Sequence, residues 1–172
     1  VDDVDRILSY DRLTEAIAMY ETMRSGDQIK PLRYLALGQR RAGDAAAALE
    51  TIDRAWQFCG DENANLSFCA VVRANRAGIL ASQGKDRAAE ALAEADAAIE
   101  DLRTFKSYGQ PEMAQAFESK ALALSLLGRQ AEAEALQGEA LAIVVKAYGS
   151  EHFESRRVQA NLDKLRQAST RP

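Results

Sequence analysis

Apolar residues recur along this chain three and four positions apart, in blocks separated by short polar turns that contain glycine. That spacing puts them on one face of an α-helix, and no strand is predicted. The first helices are expected over about residues 2–9 and 11–24, the latter with Leu13, Ile17, Met19, Tyr20 and Met23 as its apolar positions. The next runs over about 31–41 (Leu32, Leu35, Ala36), followed by 44–59 (Leu49, Ile52, Ala55, Trp56). Three more follow over about 65–82 (Leu66, Val71, Val72, Ile79, Leu80), 86–107 (Leu92, Ile99, Leu102) and 111–127. Helices over about 130–147 and 151–168 complete the pattern, and 169–172 should fray. Gly26, Gly43, Gly84, Gly128 and Gly149 stand where these blocks end, as expected just past helix C-termini. Pro31 and Pro111 stand where blocks open, where a missing N–H costs nothing.

The blocks repeat. Seven residues before Gly43, Gly84 and Gly128 stand Ala36, Ala77 and Ala121. After each turn comes a pair of alanines seven apart: Ala48 and Ala55, Ala91 and Ala98, Ala133 and Ala140. A large residue follows each pair: Trp56, Ile99 and Leu141. Antiparallel helices joined by a short turn pack along their whole length, and only a small side chain fits where their backbones approach. Alanine meets that need without the helix penalty of glycine. A single hairpin leaves one face uncovered, and stacking covers it. The expected fold is therefore all-α, a right-handed α-solenoid of stacked antiparallel helical hairpins. It forms one domain over 1–172, with a degenerate first hairpin at 1–27, full repeats at 28–60, 64–108 and 110–148, and a closing helix at 150–168.

Composition agrees. Of 172 residues, 47% are hydrophobic but only 6% aromatic, which suits helices packed through small side chains. The net charge of −4 and the absence of a dense basic block argue against a nucleic-acid partner. The longest apolar run, about Ala140 to Val145, is too short to span a bilayer, and no signal-peptide pattern is present. Because the chain starts at Val1, it is read as a segment of a longer protein, and its location is expected to be cytoplasmic. Cys59 and Cys69 are expected as reduced, packed thiols near one turn, with a regulatory disulfide as the lesser alternative.

The repeated grammar resembles the tetratricopeptide repeat family over about residues 28–166. The segments GRQAEAEALQGEALAI and YGSEHF…NL are similar to its kinesin-light-chain-type branch. The chain departs from that pattern at Phe153, where many members have proline, and at Arg76 and Lys120, where large residues are common. The resemblance implies a concave groove lined by the first helix of each hairpin, binding extended or helical peptides. Carried over, it places Arg33, Leu37 and Arg40, then Ala74, Asn75 and Gly78, then Glu118, Ser119 and Leu122 on that face. The last helix contributes Arg157, Asn161 and Lys164. Asn75 and Asn161 match the asparagines that hold a ligand backbone, and an amide offers both donor and acceptor. Arg33, Arg40, Arg73 and Arg157 would favour an acidic ligand. The set that clamps a terminal carboxylate is incomplete.

Each of these has a plainer reading. First-helix arginines are commonly a solvated face, and the asparagines can serve their own helices. The acids Glu90, Glu94, Asp96, Glu100 and Asp101 read as a solvated convex side. His152, the one histidine, suits a helix N-terminus better than catalysis. No catalytic site, metal site or cofactor is expected. The function expected is a non-catalytic interaction module in a larger signalling or regulatory protein, with a protein or peptide partner, acidic in preference, and neither nucleic acid nor membrane. The alternative is an assembly domain that forms homo-oligomers through the solenoid ends.

Overall fold

Helices of 13 residues such as Ile29–Arg41 and Ala45–Gln57 are too short to persist alone in water, so their stability must come from neighbours. The structure, a computed structural model, describes residues 28–60, 66–105 and 111–169. The helices expected over 2–9 and 11–24, and the degenerate first hairpin at 1–27, lie outside the described residues. Among those described, the order is α1 (Ile29–Arg41), α2 (Ala45–Gln57), α3 (Leu66–Ser82), α4 (Ala88–Thr104), α5 (Pro111–Leu126), α6 (Gln130–Tyr148) and α7 (Phe153–Ser169). Short 3₁₀ turns at Phe58–Gly60 and Lys85–Arg87 end α2 and open α4. No strand occurs among the described residues.

Helices α1 and α2, α3 and α4, and α5 and α6 pack as hairpins, and each hairpin packs on the next through α2·α3, α3·α5, α4·α5 and α6·α7. This is an α-solenoid of stacked antiparallel hairpins. Turn chemistry explains the hairpins. Gly84 sits at φ +107°, a left-handed conformation that costs a side-chain-bearing residue. Asp44 caps α2, its carboxylate accepting from the Ala47 amide at 3.0 Å.

All nine marker alanines have zero exposure: Ala36, Ala77, Ala121, Ala48, Ala55, Ala91, Ala98, Ala133 and Ala140. The larger anchors between them are equally enclosed, including Leu32, Ile52, Val72, Ile79, Leu102 and Met113. The core runs along the stack. One cluster joins Ala70 and Val71 of α3 to Leu102 of α4, Phe117 of α5, Val144 of α6 and Val158 of α7. Trp56 and Leu49 are only partly buried, packed at its edges, and Leu66 at the start of α3 is exposed.

Two expectations are corrected. Cys59 and Cys69 are joined in a disulfide, not held as thiols. The 3₁₀ turn after α2 and the first turn of α3 bring their Cα atoms to 5.7 Å, within bonding range, which their spacing in sequence could not show. The acids of α4 are not simply solvated. Glu94 and Asp101 hold Arg73, Glu94 and Asp53 hold Arg76, and Asp96 holds Lys120 at 2.6 Å. Arg76 and Lys120, one residue before Ala77 and Ala121, thus pin each first helix to second-helix carboxylates. That contact occupies the place where a large residue is common in the resembling family.

Candidate functional site

The first helices α1, α3, α5 and α7 share one side of the stack, and polar side chains stitch that side together. Ser119 Oγ on α5 donates to the Ala74 carbonyl of α3 at 2.8 Å. Arg33 Nη2 on α1 donates to Gln115 Oε1 on α5 at 3.3 Å. Arg157 on α7 grips Glu118 on α5 with both terminal nitrogens at 2.8 Å, and its Nε donates to Glu154 at 2.7 Å. Asn161 Nδ2 donates to the same Glu118 at 3.3 Å.

Six of the expected contact residues are brought to this side: Arg33, Leu37 and Arg40 from α1, and Arg157, Asn161 and Lys164 from α7. Arg33, Leu37, Arg40 and Asn161 are half-buried, whereas Arg157 and Lys164 are exposed. Two are placed elsewhere. Arg73 turns toward the second helices, bound by Glu94 at 3.1 Å and Asp101 at 3.0 Å, with its guanidinium 5.2 Å from the Trp56 ring. Asn75 is fully buried on α3, together with Ala74 and Gly78. Its amide donates to the Val71 carbonyl of its own helix at 2.9 Å, which is the helix-serving role.

Burial and charge act differently on these guanidiniums. Burial lowers Arg40, with nearby Glu118 offsetting part of the effect and Arg157 and Arg41 adding to it. Burial also lowers Arg33, against the opposing influence of Tyr34 and Glu112. For Arg157 burial is overridden by the hydrogen bonds and charges of Glu118 and Glu154, so it stands above the usual arginine range. Arg73 is raised likewise, burial being outweighed by Asp101 and Glu94.

Glu118 is the residue whose weight the sequence reading understated, placing it on the groove without a partner. It stands three residues before marker alanine Ala121, and Arg157 stands three before Ala160. Opposite charges at one offset in successive first helices signal such a pair. His152 serves the start of α7, its Nδ1 accepting from the Glu154 amide at 3.2 Å while its ring stacks 4.7 Å from Tyr148. Among the described residues no cluster of His, Cys, Asp and Glu is arranged to hold a metal ion, and no helix is long and apolar enough to cross a membrane.

With hairpins, marker alanines and a shared first-helix side in place, residues 113–154 match the family described as tetratricopeptide repeat. That stretch is a tetratricopeptide repeat. A solved relative in fold is the crystal structure of BtubC (BKLC) from P. vanneervenii, at a TM-score of 0.69 and 18% identity. That likeness covers 99% of this chain and 68% of that one, and at such identity it speaks for the fold alone. Comparison with curated proteins gives no match. Tetratricopeptide repeats are non-catalytic and generally mediate protein–protein interaction, and the matched stretch includes Glu118, Ser119 and Glu154 of the first-helix side.

Proposed function

We propose that this tetratricopeptide repeat chain is an interaction module that binds an extended or helical segment of a partner protein across α1, α5 and α7. It serves a larger signalling or regulatory protein. The observation that carries the reading is the stitched polar side itself. Arg33, Arg40 and Arg157 come together there with Asn161 and Glu118, on rigid helices rather than loops, as a recognition surface requires. Arg73 and Asn75 drop out of the contact set, since one is saturated by α4 and the other is enclosed.

A second reading, assembly through the solenoid end, is favoured by the surface beyond α6 and α7. A hollow of about 290 Å³ lies there, lined by Leu141, Val145, Ser155 and Ala160 among others. Val145 and Tyr148 are exposed beside it. Photo-crosslinking residues placed singly at Leu37, Lys164 and Val145 separate the two readings in cells of the source organism. Crosslinks to another protein from Leu37 and Lys164 support the first-helix side. Crosslinks from Val145 alone, to a second copy of the chain, would refute it in favour of assembly.

The disulfide supports a reading of the setting. A Cys59–Cys69 bond persists where thiols are not continuously reduced, so an oxidising compartment suits the module better than the cytoplasm expected from sequence. Acid-quenched thiol labelling in cells tests this. Both cysteines should resist alkylation, and full labelling would restore the cytoplasmic reading.

A further inference from the structure

Among the described helices, α7 packs chiefly against α6. Arg156, Ala160 and Asp163 are exposed on it. Their spacing of four and then three residues puts them in one stripe along the helix. The stripe borders the hollow between α6 and α7, which Leu141 and Val145 of α6 and Ser155 of α7 also line. Val145 is exposed, whereas Ser155 is buried and its hydroxyl has no hydrogen-bond partner among the described residues. A buried hydroxyl left unmet is costly until a partner reaches it. The Arg156 guanidinium makes no hydrogen bond or ion pair with any described residue, and Asp163 receives only the Gln159 amide, on one oxygen at 2.9 Å.

The stripe is its own complement. Arg156 and Asp163 stand about 5 Å either side of the midpoint between Gln159 and Ala160, at the helical rise of roughly 1.5 Å per residue. A second α7 laid antiparallel across that midpoint, about a twofold axis, brings its Asp163 to Arg156 and its Arg156 to Asp163. Ala160 falls beside the axis, where a small side chain lets two helices come close. Asp163 of the second copy arrives next to Ser155 as well and offers its hydroxyl an acceptor. The same approach covers Val145 in both copies. A parallel α7 would instead set Arg156 against Arg156. A helix without this charge spacing would enclose Arg156 and Asp163 unpaired, at a net cost.

We propose that the chain forms a twofold-symmetric dimer through antiparallel α7 helices, with two Arg156–Asp163 pairs flanking Ala160 and the α6–α7 hollow of each copy covered by the other. The inference rests on the reading of assembly through the solenoid end and goes further by fixing the helix, its direction, its register and the paired charges. It is compatible with a partner on the first-helix side, because Arg157 and Asn161 face Glu118 of α5 on another side of α7.

The test is sedimentation equilibrium of the full chain from about 1 μM to about 1 mM, a range that spans firm to weak association. The wild type should dimerise, less tightly as salt rises, since the pairs lie near the surface. Arg156→Glu and Asp163→Arg each turn both attractions into repulsions and should weaken dimerisation about tenfold or more. Mixed in equal amounts, the two variants should recover the dimer. In that heterodimer the introduced glutamate meets the introduced arginine, and the untouched Asp163 and Arg156 meet at the other contact. Recovery also shows that both variants are folded. Ala160→Leu should weaken the dimer without lowering the melting temperature of the dilute chain, because Ala160 is exposed. A wild type that stays monomeric throughout overturns the inference and the solenoid-end reading together. A dimer that ignores both charge reversals, or that the mixture does not restore, overturns the inference alone and leaves assembly through another face. Photo-crosslinks from position 160 to a different protein, and none to a second copy, also overturn it.

Discussion

Replacing Ala91 with leucine tests the helix crossings on which the stack depends. Ala91 of α4 has zero exposure and lies in a cluster with Leu80, Ala81 and Ala123, bordered by Leu49, Leu92, Leu122 and Leu126. Leucine adds three carbon atoms. Were there room, their burial would contribute about 2 kcal/mol, at ~0.8 kcal/mol per methylene. There is no room, and overpacking a closed site costs about 1–3 kcal/mol net. For a chain of this size, that lowers the melting temperature by about 2–4 °C per kcal/mol. Ala93, two residues along the same helix, is exposed, and leucine there should cost at most a few tenths of a kcal/mol. Thermal and urea unfolding followed by far-UV circular dichroism compares Ala91→Leu with Ala93→Leu. If the two variants unfold within 1 °C of each other, about the resolution of the comparison at this sensitivity, the close-crossing argument is wrong.

Other perturbations probe separate links. Reducing Cys59–Cys69, which are 10 residues apart, should lower stability by about 2–3 kcal/mol through loop-closure entropy, read as a drop in urea midpoint with dithiothreitol. Arg76→Ala should cost about 1–2 kcal/mol by freeing Asp53 and part of Glu94, and an unchanged melting curve would show that this network adds nothing. Gln137 is 3% exposed and donates to the Val158 carbonyl at 3.1 Å. Gln137→Ala should therefore cost about 1 kcal/mol and speed amide exchange in α7 before α3, as hydrogen exchange by mass spectrometry would show.

Much of the architecture was legible residue by residue. The turn glycines and the alanines seven positions apart predicted which small side chains would sit at the crossings, and all nine are enclosed. Helix bounds moved by three residues at most, as at α4, expected to about 107 and ending at Thr104. The site was less legible. Arg73 and Arg33 look alike in sequence, yet one binds α4 and the other reaches α5. Asn75 carries the right chemistry for ligand contact and is enclosed.

Helix, turn and repeat depend on contacts between residues a few positions apart, so the sequence alone determined them, and with them the need to stack. The pairing of charges depends on distance through space. Arg73 meets Glu94 across 21 residues, Arg76 meets Asp53 across 23 and Arg157 meets Glu118 across 39. Those distances are set by the angles at which successive hairpins pack, and each angle sums many small side-chain fits with no signature in the periodicity. Only the tertiary structure therefore decided that Arg73 and Arg157 are paired with carboxylates of the protein while Arg40 makes no hydrogen bond or ion pair with any described residue.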